Sequence, residues 1–276
     1  MKDRISISVE DGVADVRLIR SDKMNALDSA MFDAIIEAGD VLRADPAVRV
    51  VVLSGEGRAF CAGLDMGSFA QMAQGDTAAT EPAGDASTSS SAGRLAQRTH
   101  GIANKPQYAA WVWRELPVPV IASLHGVALG GGLQVCLGAD IRYAAPGTKM
   151  SIMEIKWGLV PDMAGTQLMR HLARDDVIRE LTYTGRIFEA EEAQQLGFVT
   201  RVCEDPLSAA FETARYIASR NPDAIRADKT LLNESLYLDA ARGLLLESEL
   251  QDAIIGRPNQ VEAVMAEMEG RPAKFR

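Results

Sequence analysis

The chain has 276 residues, 47% of them apolar, and a formal net charge of -9. That length and apolar share suit a soluble globular protein with one large core, or a core plus an appendage, and the three cysteines read as reduced core residues of a cytoplasmic protein. The acidic balance argues against a nucleic-acid partner, because phosphates would be repelled, and leaves room for a local basic pocket for a phosphorylated ligand. Cys61, Cys136 and Cys203 are odd in number and widely spaced, so no disulfide framework or zinc site is expected. No apolar run reaches membrane-spanning length, and Met1 to Glu10 lacks a signal-peptide core.

Ile5, Ile7 and Val9 alternate, Asp11-Gly12 turns, and Val13, Val16, Leu18 and Ile19 follow, which is a hairpin pattern. Asp28 is placed to cap a helix whose stripe is Met31, Ala34, Ile35, Ala38, Val41 and Leu42 and which Pro46 closes. The continuous apolar run Val48 to Leu53 reads as a strand buried on both faces, leading to Phe60-Cys61-Ala62-Gly63-Leu64-Asp65. The same order of strand, loop and helix start returns at Val118 to Leu124 with its glycine run. It returns more weakly at Asp140 to Tyr143 followed by Met150 to Trp157, as a loose internal repeat. Gly75 to Gly93 lacks periodicity and reads as a mobile surface loop, either a lid or a plain insertion. After Pro206 the chain becomes helical and rich in leucine, without obvious chemistry, which suggests a packing or oligomerisation region.

The stretch Leu-His-Gly-Val-Ala-Leu-Gly-Gly-Gly-Leu-Gln-Val, residues 124 to 135, carries the most information. Three glycines at a strand-to-helix junction leave bare backbone, so N–H groups at a helix start can be aimed at a negatively charged oxygen. The turn at Gly63-Leu64 has the same setting. If the two strands are neighbours, both helix starts meet, and two N–H donors can grip one carbonyl oxygen. Tight packing is the other reading of these glycines. A nucleotide site is not favoured, since no G-x-G-x-x-G follows a strand and no Gly-Lys-Ser/Thr occurs.

Two carboxyls follow. Glu154 lies among Ile152, Met153, Ile155 and Trp157, an apolar setting that would raise its pKa; beside Lys156 it could equally be a surface residue. Asp162 follows Pro161 and is either its partner or the cap of a helix beginning near Ala164. Two carboxyls in one apolar pocket titrate apart, one neutral and one ionised, which equips a site to move a proton between carbons. At Gln134, where a third carboxylate would be useful, the chain has an amide. His100, His125 and His171 have no metal spacing and read as structural, and Ser123 and Ser151 lack a G-x-S-x-G context.

Lys23-Met24-Asn25-Ala26-Leu27, Ala59 to Asp65, Pro119 through the glycine run, Ala139-Asp140-Ile141, and Gly158 through Gln167 together resemble the crotonase family of enoyl-CoA hydratases and isomerases. The resemblance runs in order from about residue 5 to 203. It implies an α/β crotonase-like spiral of ββα units over residues 1–205, with acyl-CoA site, and a C-terminal helical trimerisation region over 206–276, giving homotrimers or hexamers. It implies an acyl-CoA thioester as substrate, with no cofactor beyond the coenzyme A that the substrate carries, and no metal. The N–H groups of Leu64 and Gly131 would form the oxyanion hole. Ala26, Ala62, Gly63, Asp65, Gly130, Gln134 and Trp157 would line the substrate, and Lys23 would contact coenzyme phosphate.

Hydratases of the family use two glutamates, and here those positions hold Gln134 and Glu154. The spacing of Glu154 and Asp162 resembles the dienoyl-CoA isomerase branch. The resulting expectation is an isomerase in which Glu154 handles the α-proton and Asp162 a distal carbon. The alternatives are water addition to a 2-enoyl thioester and, from another class, a non-catalytic acyl-CoA or RNA-binding relative.

Overall fold

The computed structural model describes Met1, residues 3–68 and residues 94–276. The stretch Gly75 to Gly93, expected as a mobile loop or lid, lies outside the described residues. Strands β1 (Ile5–Glu10) and β2 (Val13–Leu18) form the expected hairpin. Its turn residues Asp11 and Gly12 have φ of 49° and 82°. Two positive φ values match the right-handed twist of the paired strands. Helix α1 (Ser29–Ala44) is capped by Asp28, whose side chain accepts from the Met31 N–H at 2.8 Å.

Strand β3 occupies Val50–Gly55, two residues later than the apolar run begins. Val48 is buried but precedes the strand, because Arg49 and Val50 both donate to the Gly12 carbonyl and turn the chain first. Helix α2 (Lys105–Glu115) leads to β4 (Val120–Leu124), β5 (Val127–Leu129) and the short helix α3 (Gly131–Leu137). Strands β6 (Ile141–Ala144) and β7 (Lys149–Ser151) run into a 3-10 turn over Glu154–Trp157. The chain continues through α4 (Gly165–Met169), α5 (Asp175–Thr184), β8 (Phe188–Glu189), α6 (Ala190–Leu196) and β9 (Arg201–Val202). Helices α7 (Pro206–Ala218), α8 (Pro222–Glu234), α9 (Ala240–Ile254) and α10 (Pro258–Glu269) complete it.

A six-stranded sheet in the order β1-β2-β3-β4-β6-β9 lies beside a three-stranded sheet β5-β7-β8. From β2 onward the large sheet is parallel, and both its faces are covered. On one face Val16, Leu18, Leu53 and Ala122 pack in a core with α1 and α2; on the other, Val50, Val52, Ile121 and Tyr143 pack against Ala210, Ala214 and Ala218 of α7. Burial on both faces is why the strands read as unbroken apolar runs. Lys229 of α8 reaches inward, donating to the carbonyls of Trp113 and Val118 and to Asp140 at 2.8–3.0 Å. Those three acceptors satisfy an ammonium group that would otherwise be costly to bury. Among the described residues no helix is long and apolar enough to cross a membrane.

The internal repeat sets the position of the site. Each of β3, β4 and β6 leaves the large sheet and is followed by an extended segment in the smaller layer. Cys61 pairs in parallel with Ala128, and Ala128 with Met150. Three residues beyond that row lie Leu64, Gly131 and Met153, with Glu154 next. The register alone therefore brings three chain turns to one level.

Candidate active site

The segment around Gly63 reverses its hydrogen-bonding direction. Cys61 faces β5, donating to Val127 and accepting from Leu129, each at 3.1 Å, while the Ala62 N–H turns the other way to Met24. Regular alternation would turn Gly63 back to β5. Instead Gly63 has φ +90° and its carbonyl accepts from Leu27 at 2.8 Å, while the Asp65 N–H donates to Leu27 at 3.0 Å. In a parallel bridge of this kind the residue between the two bonded groups points away from its partner strand. The Leu64 N–H is thus turned toward β5 and α3.

Gly131 waits on that side. As the first residue of α3 its N–H has no carbonyl one turn back to bond. Gly130, with φ 50° and ψ -120°, donates its own N–H to Ser151 at 2.9 Å and leaves the next one free. A Cβ on Gly63 would stand 3.7 Å from the Gly131 nitrogen and 2.6 Å from the Leu129 carbonyl oxygen. Among the described residues neither the Leu64 nor the Gly131 N–H has an acceptor. Two neighbouring free donors are suited to an oxygen that gains negative charge.

Gln134 and Glu154 are both buried, at 2% and 8% exposure, and they are in contact. Gln134 Nε2 donates to Glu154 Oε1 over 2.6 Å, and Gln134 Oε1 accepts from the N–H groups of Met163 and Gly165, each at 2.9 Å. Among the described residues Glu154 Oε2 is buried without a hydrogen-bond partner. Burial pushes the Glu154 carboxyl above the ordinary carboxylate range; Asp162 pushes it further, and the Gln134 hydrogen bond opposes the shift. The open sequence alternative of a surface glutamate does not describe this residue.

Asp162 does not cap a helix. Helix α4 begins at Gly165 after Ala164, which is left-handed at φ 63°, and no side chain caps it. Asp162 is exposed, while the protein packed around its carboxyl raises it above the ordinary carboxylate range. It borders a cavity of about 240 Å³ between the α2 end, with Ile102, Ala103 and Trp111, and the segment Pro161 to Gln167.

Other expected site residues are more dispersed in environment. Ala26 is buried and its carbonyl accepts from Arg20 at 3.0 Å. Asp65 is paired with Arg20 at 2.7 Å and accepts from the Gly67 N–H at 2.8 Å, so its carboxylate is engaged within the chain. Lys23 is exposed at the end of a 3-10 turn, Ala62 is half-buried, and Trp157 is 39% exposed with the Lys156 ammonium over its ring. Among the described residues no cluster of His, Cys, Asp and Glu could hold a metal ion.

Sequence reasoning missed three contributors. Asn25, fully buried, gathers the carbonyls of Glu56, Ala59 and Phe60 at 2.9–3.1 Å and so shapes the loop before Gly63. The only signal in the sequence was the residue type, since Asn tolerates the left-handed φ of 55° that it adopts here. The backbone N–H groups of Met163 and Gly165 are the other two. A Cβ on Gly165 would stand 2.6 Å from Gln134 Oε1, which explains glycine there.

A spiral of strand units whose helix starts converge on paired N–H donors and a buried carboxyl defines a crotonase-fold enzyme. The enoyl-CoA hydratase/isomerase family signature matches residues 13–274, and the chain belongs to that family. The mitochondrial methylglutaconyl-CoA hydratase of Mus musculus is 28% identical over 272 residues, covering 96% of this chain and 80% of that protein. The mitochondrial Delta(3,5)-Delta(2,4)-dienoyl-CoA isomerase of the same organism is 30% identical over 271 residues, covering 97% and 80%. The crystal structure of an enoyl-CoA hydratase from Bacillus anthracis matches with a TM-score of 0.84 at 27% identity, over 99% of this chain and 98% of that one.

Proposed function

We propose that this protein moves a double bond along an unsaturated acyl-CoA. The observation that carries the reading is the neutral amide of Gln134 against Glu154 at 2.6 Å. Water addition across a double bond wants one group to activate water and another to protonate the α-carbon, and an amide does neither. Loss of such a group costs about 10²–10⁴-fold. Glu154 and Asp162 remain as the carboxyls whose proton affinity the protein raises at this site.

In the reaction, the thioester oxygen lies between the N–H groups of Leu64 and Gly131. Each donor contributes about 3 kcal/mol to the transition state. The ionised Glu154 takes the α-proton: the C–H bond breaks, an O–H bond forms, and the electron pair spreads to the thioester oxygen as an enolate. Asp162, entering protonated, gives its proton to a distal carbon as the electron pair returns along the chain. The product is an isomer of unchanged mass, with Glu154 protonated and Asp162 ionised. Solvent contact at Asp162 supports resetting the pair.

The remaining assignments belong to the same reading. Lys23, Ala26 and Ala62, beside the Gly63 turn, serve the coenzyme; Trp157, Asp65 and Gly130 border the acyl side. No cofactor beyond the coenzyme of the substrate enters. On this reading further copies of the chain cover the apolar side of α9, as a trimer or hexamer, and the protein works in the cytoplasm. Water addition is the second reading, favoured by the similarity to methylglutaconyl-CoA hydratase.

The test is Glu154→Gln against 3-enoyl, 3,5-dienoyl and 2-enoyl thioesters. Turnover should fall by about 10²–10⁴-fold, and unchanged turnover across that panel would refute the assignment.

A further inference from the structure

The orientation of the Gln134 amide is fixed without reference to Glu154. The N–H groups of Met163 and Gly165 both point at one atom 2.9 Å away, and only the carbonyl end of an amide accepts them. The NH₂ end must then face Glu154, where it acts only as a donor. Oε1 of Glu154 receives it, backed by Gly130, on which a Cβ would stand 3.4 Å from the same oxygen. Oε2 is left buried with no partner among the described residues. A buried acceptor without a donor is destabilising, and such an exception calls for a reason.

Packing alone does not explain the amide. A glutamate at 134 has the same shape and would accept the Met163 and Gly165 N–H groups equally well. It would differ at Oε1 of Glu154, where it would set a second acceptor against the first, so that a proton must be shared between them.

Resting on the double-bond reading, we propose that Gln134 is a positioning residue that holds Oε1 of Glu154 as a permanent acceptor, leaving Oε2 as the atom that takes and returns the substrate's α-proton. The proton leaves the α-carbon for Oε2 and its electron pair passes to the thioester oxygen. In the reverse direction the Oε2–H bond breaks and the C–H bond reforms. Because Oε1 is occupied by a donor, the proton is not passed to residue 134, and the amide hydrogen bond keeps the ionised form of Glu154 accessible.

The experiment is a titration of the Glu154 carboxyl by ¹³C NMR in the wild type, Gln134→Glu and Gln134→Met, paired with the pH dependence of kcat/KM on a 3-enoyl thioester. Gln134→Glu preserves an acceptor for both backbone N–H groups and decides the matter if Gln134→Met fails to fold. In Gln134→Glu the added negative charge and the lost donor should each raise the Glu154 midpoint. An upward move of about one pH unit or more is expected, with the acidic limb of kcat/KM following it. A midpoint and limb that stay in place, with kcat/KM lowered evenly at all pH values, would overturn the proposal and leave Gln134 a packing residue. Glu154→Gln run in parallel separates the two levels: full activity there defeats the double-bond reading, whereas lost activity there with an unmoved Glu154 midpoint in Gln134→Glu defeats only the positioning role.

Discussion

Gly63 and Gly131 meet through bare backbone, and a Cβ on Gly63 would fall 3.7 Å from the Gly131 nitrogen. The parallel register Cys61 to Ala128 sets their height, and the left-handed Gly63 turns the following N–H toward α3. Sequence, through one glycine, thus dictates the direction of the Leu64 N–H dipole at the candidate site.

Gly63→Ala should therefore damage chemistry and fold together. The new methyl group would press on the Leu129 carbonyl at 2.6 Å and strain a φ of +90°, at about 1–3 kcal/mol. Displacing one oxyanion donor should lower kcat by about 10²–10³-fold. Thermal unfolding and steady-state kinetics on the purified variant check both; wild-type kcat would contradict the geometry.

Glu154 costs stability when ionised. Its folded pKa is raised above the unfolded value, mainly by burial, so its favourable contribution is present at low pH and is lost as pH rises through the folded midpoint. Glu154→Gln retains an oxygen to accept the Gln134 N–H and never ionises. The variant should melt higher than wild type at pH 8, with the difference closing near pH 4. Scanning calorimetry at the two pH values reads this directly, and equal melting temperatures at pH 8 would contradict a buried, reluctant carboxylate.

Asp162→Asn should separate the two halves of the reaction. Glu154 remains able to remove the α-proton, so exchange of that proton for deuterium in D₂O should persist within about tenfold. Migration of the double bond in a 3,5-dienoyl thioester should fall by about 10²-fold or more. Parallel loss of exchange and migration would remove the distal role from Asp162.

Much of the scaffold was legible because it rests on local rules. The Asp11-Gly12 hairpin, the Asp28 cap and the doubly buried strands follow from turn chemistry, capping and apolar runs. The glycine run and Gly63 marked two turns of the site for the same reason: bare backbone is visible in a sequence. Asp162 was ambiguous since an Asp just ahead of a helix expected to begin near Ala164 suits a cap, and the left-handed Ala164 moves the helix start away from it. The bonds from Met163 and Gly165 to Gln134 span 29 and 31 residues, a separation that no periodicity encodes.

Helix α9 has no buried residue, with Leu244 62% and Leu245 53% exposed. On the proposed reading, further copies of the chain cover these leucines. Light scattering should find a trimer or hexamer for the wild type. The double substitution Leu244→Glu with Leu245→Glu should shift the mass toward the monomer, and an unchanged mass would remove α9 from the interface.

The most direct test of double-bond migration is product identification by mass spectrometry and NMR after incubation with 2-enoyl, 3-enoyl and 3,5-dienoyl thioesters. The amide at 134 with carboxyls at 154 and 162 predicts products of unchanged mass whose double bond has moved. Efficient gain of one water by the 2-enoyl thioester, with no migration in the other two, would contradict it.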